Sequence, residues 1–358
     1  MDLVFKDKSI SGVLLVVPSE EKFFIEEMSN FHFPLSRSLK LKEVMGYDRH
    51  RVVSEETTAT DLVVFGMRRL FDENLLFKDS FDALIVVSQS PDFLMPSNSS
   101  VIQGKLDLPE DMLCLDLIQG CAGFLIGLFQ AFMLLEQPSI KRVVLANTDV
   151  LSKKVSKMDR NSYPLIGDAA SITIVENGPK GKIFANVKMD GRGGDALSIP
   201  AGGFKLPSTL ETAKMVDMGD GNIRSLDNLK MDGSAVFNFV QTHVPPMIDQ
   251  LFQSAGISDK DVDHYLFHQP NKFMLDKLAE KMNVDKKKMP SNVVGVYGNS
   301  SGVTIPAALV SNLANELKTG RANVCFAGFG AGLTWASMYL RVGMLDFCQE
   351  ISYEKETN

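Results

Sequence analysis

One segment of the chain, residues 122–135, is apolar around the whole circumference of the helix that its spacing predicts. It follows a run of apolar residues, 111–117, that is typical of a buried strand. A helix with no polar face cannot lie on a protein surface, because every side of it must be shielded from water. The chain therefore needs other structure on all sides of this helix, which predicts a large core.

Cys121 lies at the corner between that strand and that helix. Backbone N–H groups and the helix dipole favour an anion at a helix N-terminus, so the position predicts a thiolate rather than a thiol. The thiolate is the form of cysteine that acts as a nucleophile. Because free cysteine is also among the most frequently buried residue types, the corner alone is equally compatible with a cysteine that only fills the core.

Strands and helices alternate along the rest of the chain, which predicts an α/β fold with helices on the faces of a sheet. Residues 45–53 are expected to form an exposed polar loop, and residues 190–228 a long irregular segment. The helix over residues 232–255 is expected to be interrupted at Pro245 and Pro246. The other predicted helices cover 57–71, 270–282 and 304–317, and the other predicted strands cover 11–18, 81–87, 142–146, 167–175, 183–189, 263–267, 292–297, 323–327 and 332–342, the last strand of the chain.

The order of these elements repeats between the two halves of the chain. A strand, a corner of small residues, a helix and a second strand cover residues 111–146, and the same order covers residues 292–327. Such a repeat predicts a duplicated architecture. We expect one half over residues 1–180 and the other over residues 181–358.

Three polar residues follow strands of this predicted architecture: Cys121, His268 and Asn299. Because α/β folds place ligands at the carboxyl ends of strands, we expect the three side chains at one edge. Taken singly, His268 could satisfy a buried carbonyl and Asn299 could belong to an ordinary turn. Together, a thiol, an imidazole and an amide suit thioester chemistry, and backbone N–H groups of residues 328–332 could form an oxyanion hole.

Composition and charge limit the class of protein further. The chain has 358 residues, 45% of them hydrophobic and 23% charged, and a net charge of −7 that argues against a nucleic-acid binder. The N-terminus does not resemble a signal peptide and no apolar run is long enough to span a bilayer, which predicts a cytoplasmic protein. The cysteines show neither metal-ligand spacing nor a disulfide pattern, so we expect no metal; they are Cys114, Cys121, Cys325 and Cys348.

Six motifs in register resemble the β-ketoacyl-acyl carrier protein synthase III family, over about residues 82–342. The resemblance implies a thiolase-like, five-layer αβαβα fold of two similar halves, normally assembled as a homodimer. It also implies no permanently bound cofactor, and acyl-coenzyme A or acyl carrier protein thioesters as substrates in fatty-acid biosynthesis. The motifs are Gly120-Cys-Ala-Gly-Phe124, Leu165-Ile-Gly-Asp-Ala-Ala170, Met231-Asp-Gly233, Phe267-His-Gln-Pro-Asn271, Tyr297-Gly-Asn-Ser-Ser-Gly302 and Phe329-Gly-Ala-Gly-Leu-Thr-Trp335.

The resemblance assigns roles to particular residues. Cys121 is implied to accept the acyl group, with its own N–H and that of Ala331 holding the oxyanion. His268 and Asn299 are implied to hydrogen-bond a malonyl thioester whose decarboxylation gives the attacking enolate. Substrate contacts are implied at Met95, Asn271, Gly330 and Gly332, with Met95 in the place of an aromatic residue that closes the partner subunit's acyl tunnel. A basic group is expected to dock an acyl carrier protein and consists of Lys153, Lys154, Lys157 and Arg160.

One departure from the family leaves undetermined whether coenzyme A or a carrier protein brings the acyl group. Typical coenzyme A-using members hold the adenine between a Trp in the N-terminal third and an Arg after the cysteine helix. The only Trp here is Trp335, and Lys153 lies in that loop. Lysine cannot stack as a planar guanidinium does, so the usual binding of coenzyme A is in question.

Other functions also remain open on the sequence. The same scaffold could pass an acyl group from Cys121 to an alcohol or an amine. A non-catalytic partner subunit is a further alternative, although such subunits tend to lose the nucleophile. A papain-like hydrolase also uses Cys, His and Asn, but its order of elements and its secretory context differ.

Overall fold

The structure is a computed structural model and describes residues 1–219 and 221–354. Its helices are α1 (Phe24–Glu27), α2 (Leu35–Met45), α3 (Ala59–Asp72), α4 (Asn98–Leu106), α5 (Gly123–Leu134), α6 (Gly233–Ala255), α7 (Lys272–Met282), α8 (Val294–Tyr297) and α9 (Thr304–Thr319). Its strands are β1 (Asp2–Pro18), β2 (Glu21–Phe23), β3 (Arg49–Arg51), β4 (Ala83–Val87), β5 (Leu113–Leu117), β6 (Arg142–Asp149), β7 (Ala169–Met189), β8 (Leu197–Ser198), β9 (Val216–Asp217), β10 (Ile223–Arg224), β11 (Lys230–Met231), β12 (His264–Phe267), β13 (Arg321–Gly330), β14 (Thr334–Gly343) and β15 (Phe347–Tyr353).

Two long antiparallel strands, β1 and β7, belong to both parts of the central sheet. The first part of β7 pairs with β6 and with the second part of β1, and this branch continues through β4 to β5 on one side and to β15 on the other. The last part of β7 pairs with β14 and with the first part of β1, and this branch continues through β13 to β12. The pairing between β1 and β7 shifts register between the two parts.

Alternation along the strands shows which helices cover each branch, since successive side chains of a strand point to opposite faces. In the first branch, Leu14 packs with α3 and α4, and Leu15 packs with α5 and α9. In the second branch, Phe326 packs with α5 and α9, and Cys325 packs with α6 and α7. The layers therefore run α3/α4, sheet, α5/α9, sheet, α6/α7, and the predicted five-layer αβαβα fold is confirmed.

The apolar helix α5 lies in the middle layer, as its sequence predicts. Phe124, Leu125, Leu128 and Phe132 are fully buried in the shared core. A β-carbon on Gly127 would lie only 2.5 Å from Cδ1 of Leu145, so this glycine lets the helix approach β6 closely.

Two predictions near the site are wrong. Residues 292–297 form the short helix α8 rather than a strand, because Val294 and Tyr297 bury on one side at helical spacing. A short apolar run cannot distinguish these two structures. The helix α6 is not interrupted at its prolines: Pro245 cannot donate to the carbonyl of Gln241, but Nζ of Lys281 donates to that carbonyl at 2.7 Å.

Residues 45–53 are not an exposed loop, because they contain β3, whose His50 is only 2% exposed. Nε2 of His50 lies 3.0 Å from Oε2 of the buried Glu27, and Nδ1 contacts the carbonyl of Ile166. Both partners of His50 are distant in sequence, so no local pattern signals its burial.

Two further predictions need correction. The segments predicted as strands at 167–175 and 183–189 fall largely within the single strand β7, and β15 follows the expected last strand of the chain.

Within the described residues, no helix combines the length and the apolar character needed to cross a membrane.

We expect both Leu14→Ala and Leu15→Ala to lower the free energy of unfolding by about 2–5 kcal/mol each. These neighbouring side chains are fully buried on opposite faces of β1. Val4→Ala, on the same strand but 55% exposed, should change stability by less than about 0.5 kcal/mol. Urea denaturation of the three variants measures this, and a large effect at only one of the two leucines would contradict a sheet covered on both faces.

Candidate active site

Cys121 lies between the end of β5 and the start of α5, and its side chain is 7% exposed. Glycines at the end of β13 let that strand pass directly against it. A β-carbon on Gly330 would lie 2.5 Å from Sγ of Cys121, and one on Gly328 would lie 2.7 Å from Cα of Ala122. Side chains at these positions would displace the sulfur, so the glycines are required by its placement.

The sulfur of Cys121 is a thiol at neutral pH, not the thiolate that the helix N-terminus predicted. Burial raises the pKa of Cys121 to about 11, although hydrogen bonds from the backbone N–H groups of Ala331 and Cys121 itself oppose the shift. The carboxyl group of Asp149 raises it further. A reaction of Cys121 therefore needs a group that takes its proton.

His268 follows β12 and is 2% exposed. Its backbone N–H donates to the carbonyl of Ala327 at 2.7 Å, which continues the pairing of β12 with β13. Its Nδ1 lies 2.7 Å from Oγ1 of Thr304, and its ring packs edge-on against that of Phe329. Burial lowers the pKa of His268 to about 3, so the imidazole is neutral at pH 7.

Asn299 is 8% exposed and is held by the chain on both sides. Its backbone N–H donates to the carbonyl of Leu165 at 2.7 Å. Its Oδ1 accepts from the backbone N–H of Ser301 at 2.9 Å, and Ser301 has the uncommon positive φ of 58°. Because Oδ1 is engaged, the amide presents its Nδ2 donor to the cavities that Asn299 lines.

Two cavities meet at these residues. The larger has a volume of about 670 Å³ and is lined by all three side chains, Cys121, His268 and Asn299. The smaller has a volume of about 250 Å³ and is lined by Cys121 and Asn299. The residues common to both cavities are Cys121, Leu165, Leu197, Met231 and Asn299. The sulfur therefore lies at the junction of two separate spaces.

The linings of the two cavities differ in chemistry. The wall of the smaller cavity is mainly aliphatic and includes Ile118, Leu151, Ile166, Ile199 and Leu229. The larger cavity combines apolar side chains with a polar group that consists of Arg160, Asn161, Asp232, Ser234, Asn238 and Asn271. An apolar chain fits the first, and an arm with amide and hydroxyl groups fits the second.

The structure distributes the other predicted site residues unevenly. Asn271 and Gly330 line the larger cavity, and Ala331 lines the smaller one. Gly332 has a φ of 135° and follows Ala331 directly. Met95 is 87% exposed and lines neither of these two cavities as the described chain forms them.

The basic group predicted to dock a carrier is also spread out. Arg160 lines the larger cavity and lies over the ring of Phe33, 4.5 Å from its centroid. Lys153, Lys154 and Lys157 are exposed, and Nζ of Lys153 donates to the carbonyl of Glu55.

Sequence reasoning missed Thr304 and Asp149. Thr304 lies at the start of α9, where a threonine is an ordinary helix-start residue. Asp149 is 2% exposed and accepts hydrogen bonds from the N–H of Gln89 and the hydroxyl of Ser90; burial raises its pKa to about 7. A carboxyl group at the end of a buried strand was the available signal. Over residues 1–219 and 221–354, no group of three or more His, Cys, Asp or Glu side chains could hold a metal ion.

Comparisons with known proteins agree with this architecture. Residues 115–193 match the family model for 3-oxoacyl-[acyl-carrier-protein] synthase III, and residues 252–342 match the model for its C-terminal part. The chain is 31% identical over 354 residues to a putative 3-oxoacyl-[acyl-carrier-protein] synthase 3 of Campylobacter jejuni, covering 98% of this chain and 99% of that protein. It is 29% identical to a β-ketoacyl-[acyl-carrier-protein] synthase III of Lactococcus lactis, over 82% of this chain and 88% of that one.

A solved structure extends the agreement to three dimensions. The crystal structure of a 3-oxoacyl-(acyl-carrier protein) synthase from Burkholderia xenovorans superimposes with a TM-score of 0.91 at 33% identity and covers 99% of both chains. The six sequence motifs, the five layers and these matches lead to one assignment. The chain belongs to the β-ketoacyl-acyl carrier protein synthase III family of thiolase-fold condensing enzymes.

Proposed function

We propose that this enzyme transfers an acyl group from a thioester to Cys121 and then condenses it with a malonyl-acyl carrier protein. The observation that carries the proposal is the position of Cys121 at the junction of two cavities of different chemistry. The smaller, aliphatic cavity holds the acyl chain, and the larger one admits the arm of the thioester carrier. His268 and Asn299 line the same larger cavity as Cys121, and we assign them the acid–base and amide roles in the reaction.

In the first half-reaction, the sulfur of Cys121 attacks the acyl carbonyl while neutral His268 takes the thiol proton. The backbone N–H groups of Cys121 and Ala331, which already reach the sulfur, hold the negative oxygen of the tetrahedral intermediate. When the intermediate collapses, the carrier leaves as a thiolate and takes the proton from His268. The products are acyl-Cys121, a free carrier thiol and neutral imidazole.

In the second half-reaction, the malonyl thioester enters through the larger cavity, and His268 and Asn299 donate hydrogen bonds to its carbonyl oxygen. Loss of carbon dioxide leaves an enolate whose negative oxygen these two donors stabilise. The enolate carbon attacks the carbonyl of acyl-Cys121, the bond from that carbonyl to the sulfur breaks, and the cysteine leaves as a thiolate that takes one proton from water. The product is a β-ketoacyl thioester on the carrier.

Acyl carrier protein is the proposed partner, and no permanently bound cofactor takes part. Arg160 at the larger cavity, with exposed Lys153, Lys154 and Lys157 in the same segment, provides positive charge for an acidic carrier. The four cysteines are free thiols, which supports a reducing, cytoplasmic location.

A homodimer is the proposed assembly. Strand β5 stands at the end of the sheet order, and its outer edge is unpaired within the described chain. Leu113 on this strand is 38% exposed, and Ile118 just beyond it is 78% exposed although it lines the smaller cavity. A second copy laid against β5 would cover these side chains and bring its own Met95 toward the acyl cavity.

Intact-protein mass after incubation with acyl-coenzyme A and acyl-carrier thioesters, followed by malonyl carrier, tests the function. The wild-type protein should gain one acyl group and lose it as a β-ketoacyl product, and Cys121→Ala should gain none. Asn299→Ala should still be acylated but should condense about 10²–10³ times more slowly, because one oxyanion donor is missing.

Two results would contradict the function. An adduct that malonyl carrier cannot discharge would favour acyl transfer to an alcohol or an amine. A wild-type protein that no thioester acylates at Cys121 would refute the nucleophile.

Leu229→Trp should shift the preferred acyl chain to a shorter one, because the larger side chain fills part of the aliphatic cavity. Leu229 lines only the smaller of the two cavities. Leu41→Trp is the matched control, since Leu41 lines only the larger one, and it should slow the reaction without changing the preferred length. Acylation rates over a series of chain lengths measure this, and an unchanged preference in Leu229→Trp would place the acyl chain elsewhere.

Alkylation of Cys121 by iodoacetamide should become faster by about tenfold per pH unit between pH 7 and pH 10, since burial raises the pKa of this thiol to about 11. Peptide mass spectrometry separates this site from half-buried Cys114, and Cys121→Ala gives the background. A rate that levels off below pH 8 would instead indicate a preformed thiolate–imidazolium pair.

A further inference from the structure

The carboxamide of Gln89 takes no part in the proposed reaction, although the residue lines the smaller cavity together with Cys121. The backbone N–H of Gln89 donates to Oδ1 of the buried Asp149 at 2.8 Å, which fixes the residue just beyond the end of β4. Its side chain is half-buried and makes no hydrogen bond with any other residue that the structure describes. The amide is therefore held in place but has its donors and its acceptor free.

The glycine before the nucleophile allows this amide to lie there. A β-carbon on Gly120 would lie 2.7 Å from Cδ of Gln89, 3.1 Å from Nε2 and closer still to Oε1. Any side chain at residue 120 would therefore displace the carboxamide. Because Gly120 directly precedes Cys121, the amide packs against the backbone beside the reactive residue.

The position of Gln89 assigns the amide to the acyl chain rather than to the carrier. Gln89 lines the smaller, aliphatic cavity and is not part of the wall of the larger one. In the proposed function the smaller cavity holds the acyl chain. An amide beside Gly120 then reaches the carbons of that chain that lie nearest the thioester.

Two serine hydroxyls add to the polar capacity of the same cavity. Ser162 and Ser301 both line it, and each Oγ is buried without a hydrogen-bond partner among the described residues. The Ser301 hydroxyl is close enough to the thiol to lower the pKa of Cys121. Buried polar groups in native proteins normally have partners, so this set indicates that a polar group enters the cavity.

A plain hydrocarbon chain suits this cavity poorly near the sulfur. It would remove water from the Gln89 amide and give no hydrogen bond in return, which is unfavourable for binding. A hydroxyl group can both donate and accept, and a carboxamide can do the same, so the two match in either direction. The aliphatic side chains farther along the wall suit the rest of the acyl chain.

We propose that Gln89 is a specificity-determining residue that binds a hydroxyl group on the second or third carbon of the acyl chain, so that the acyl substrate is a hydroxyacyl thioester. The inference rests on the proposed function, because it concerns the acyl group that Cys121 accepts.

Acylation rates measured by intact-protein mass test the inference. The probes are butyryl and octanoyl thioesters of one carrier and their derivatives with a hydroxyl on the second or third carbon, each as separate enantiomers. For wild-type protein, kcat/KM for one hydroxyacyl probe should exceed that for the plain chain of equal length by about 10-fold, the contribution of one hydrogen bond. Equal or faster reaction of the plain chains would show that water satisfies the amide and would overturn the inference.

Gln89→Met keeps the length of the side chain but removes the amide, and it should reduce this preference to about 1-fold. Asn238→Leu is the matched control, because Asn238 lines only the larger of the two cavities. It should change the rates for plain and hydroxylated chains alike. A preference that survives in Gln89→Met would exclude Gln89 as its cause.

Stability distinguishes specificity from a structural role. Since the Gln89 amide has no partner among the described residues, Gln89→Met should leave the melting temperature unchanged. A large decrease in the melting temperature would show that the amide supports the fold instead.

Binding to Cys121→Ala protein separates the inference from the proposed function. This variant cannot be acylated, and it should bind the preferred hydroxyacyl thioester about 10-fold more tightly than the plain one in an equilibrium titration. If no thioester acylates wild-type Cys121, the proposed function fails, and this binding ratio still decides the inference. A ratio of about 1 would overturn it.

Discussion

The burial of helix α5 between two sheet layers is the constraint on which the rest of the structure depends. The helix has no polar face, so both branches of the central sheet and the neighbouring helix α9 must enclose it. Cys121 at its start is thereby carried into the interior and held at 7% exposure. The glycines of β13 then allow a second strand to reach the sulfur of Cys121 in the interior of the molecule.

Burial also explains the charge state of the site. A helix N-terminus in water would favour a thiolate, but removal of water from Cys121 and His268 makes the neutral thiol and the neutral imidazole the stable pair.

In the proposed reaction, the two cavities let one sulfur serve two substrates in turn. We expect the acyl chain in one space and the carrier arm in the other, so that the acyl group remains in place while one carrier leaves and another enters. Segments outside the repeated units at residues 111–146 and 292–327 complete these spaces: Leu41 and Met45 of α2 and Ile199 and Leu229 of the long connection before α6 all contribute to the walls. Such segments pack on the core without determining it, so acyl length and carrier can vary on an unchanged central architecture.

The sequence by itself determined the layers and the family, and it predicted Cys121, His268 and Asn299 as site residues, which line one cavity in the structure. Periodicity identified α5 and the main strands because burial on every face leaves an unbroken apolar run, and six motifs in register were specific where each alone was not. Only the tertiary structure decided the interpretation of residues 292–297 and 45–53, the continuity of α6 across its prolines, and the protonation of the site. In each case the deciding partner is far away in sequence: Lys281 satisfies the carbonyl left by Pro245, Glu27 holds His50, and Thr304 fixes His268. Local sequence patterns indicate which faces of a segment are exposed to water and which are buried. Desolvation and hydrogen bonding instead depend on residues that only folding brings together.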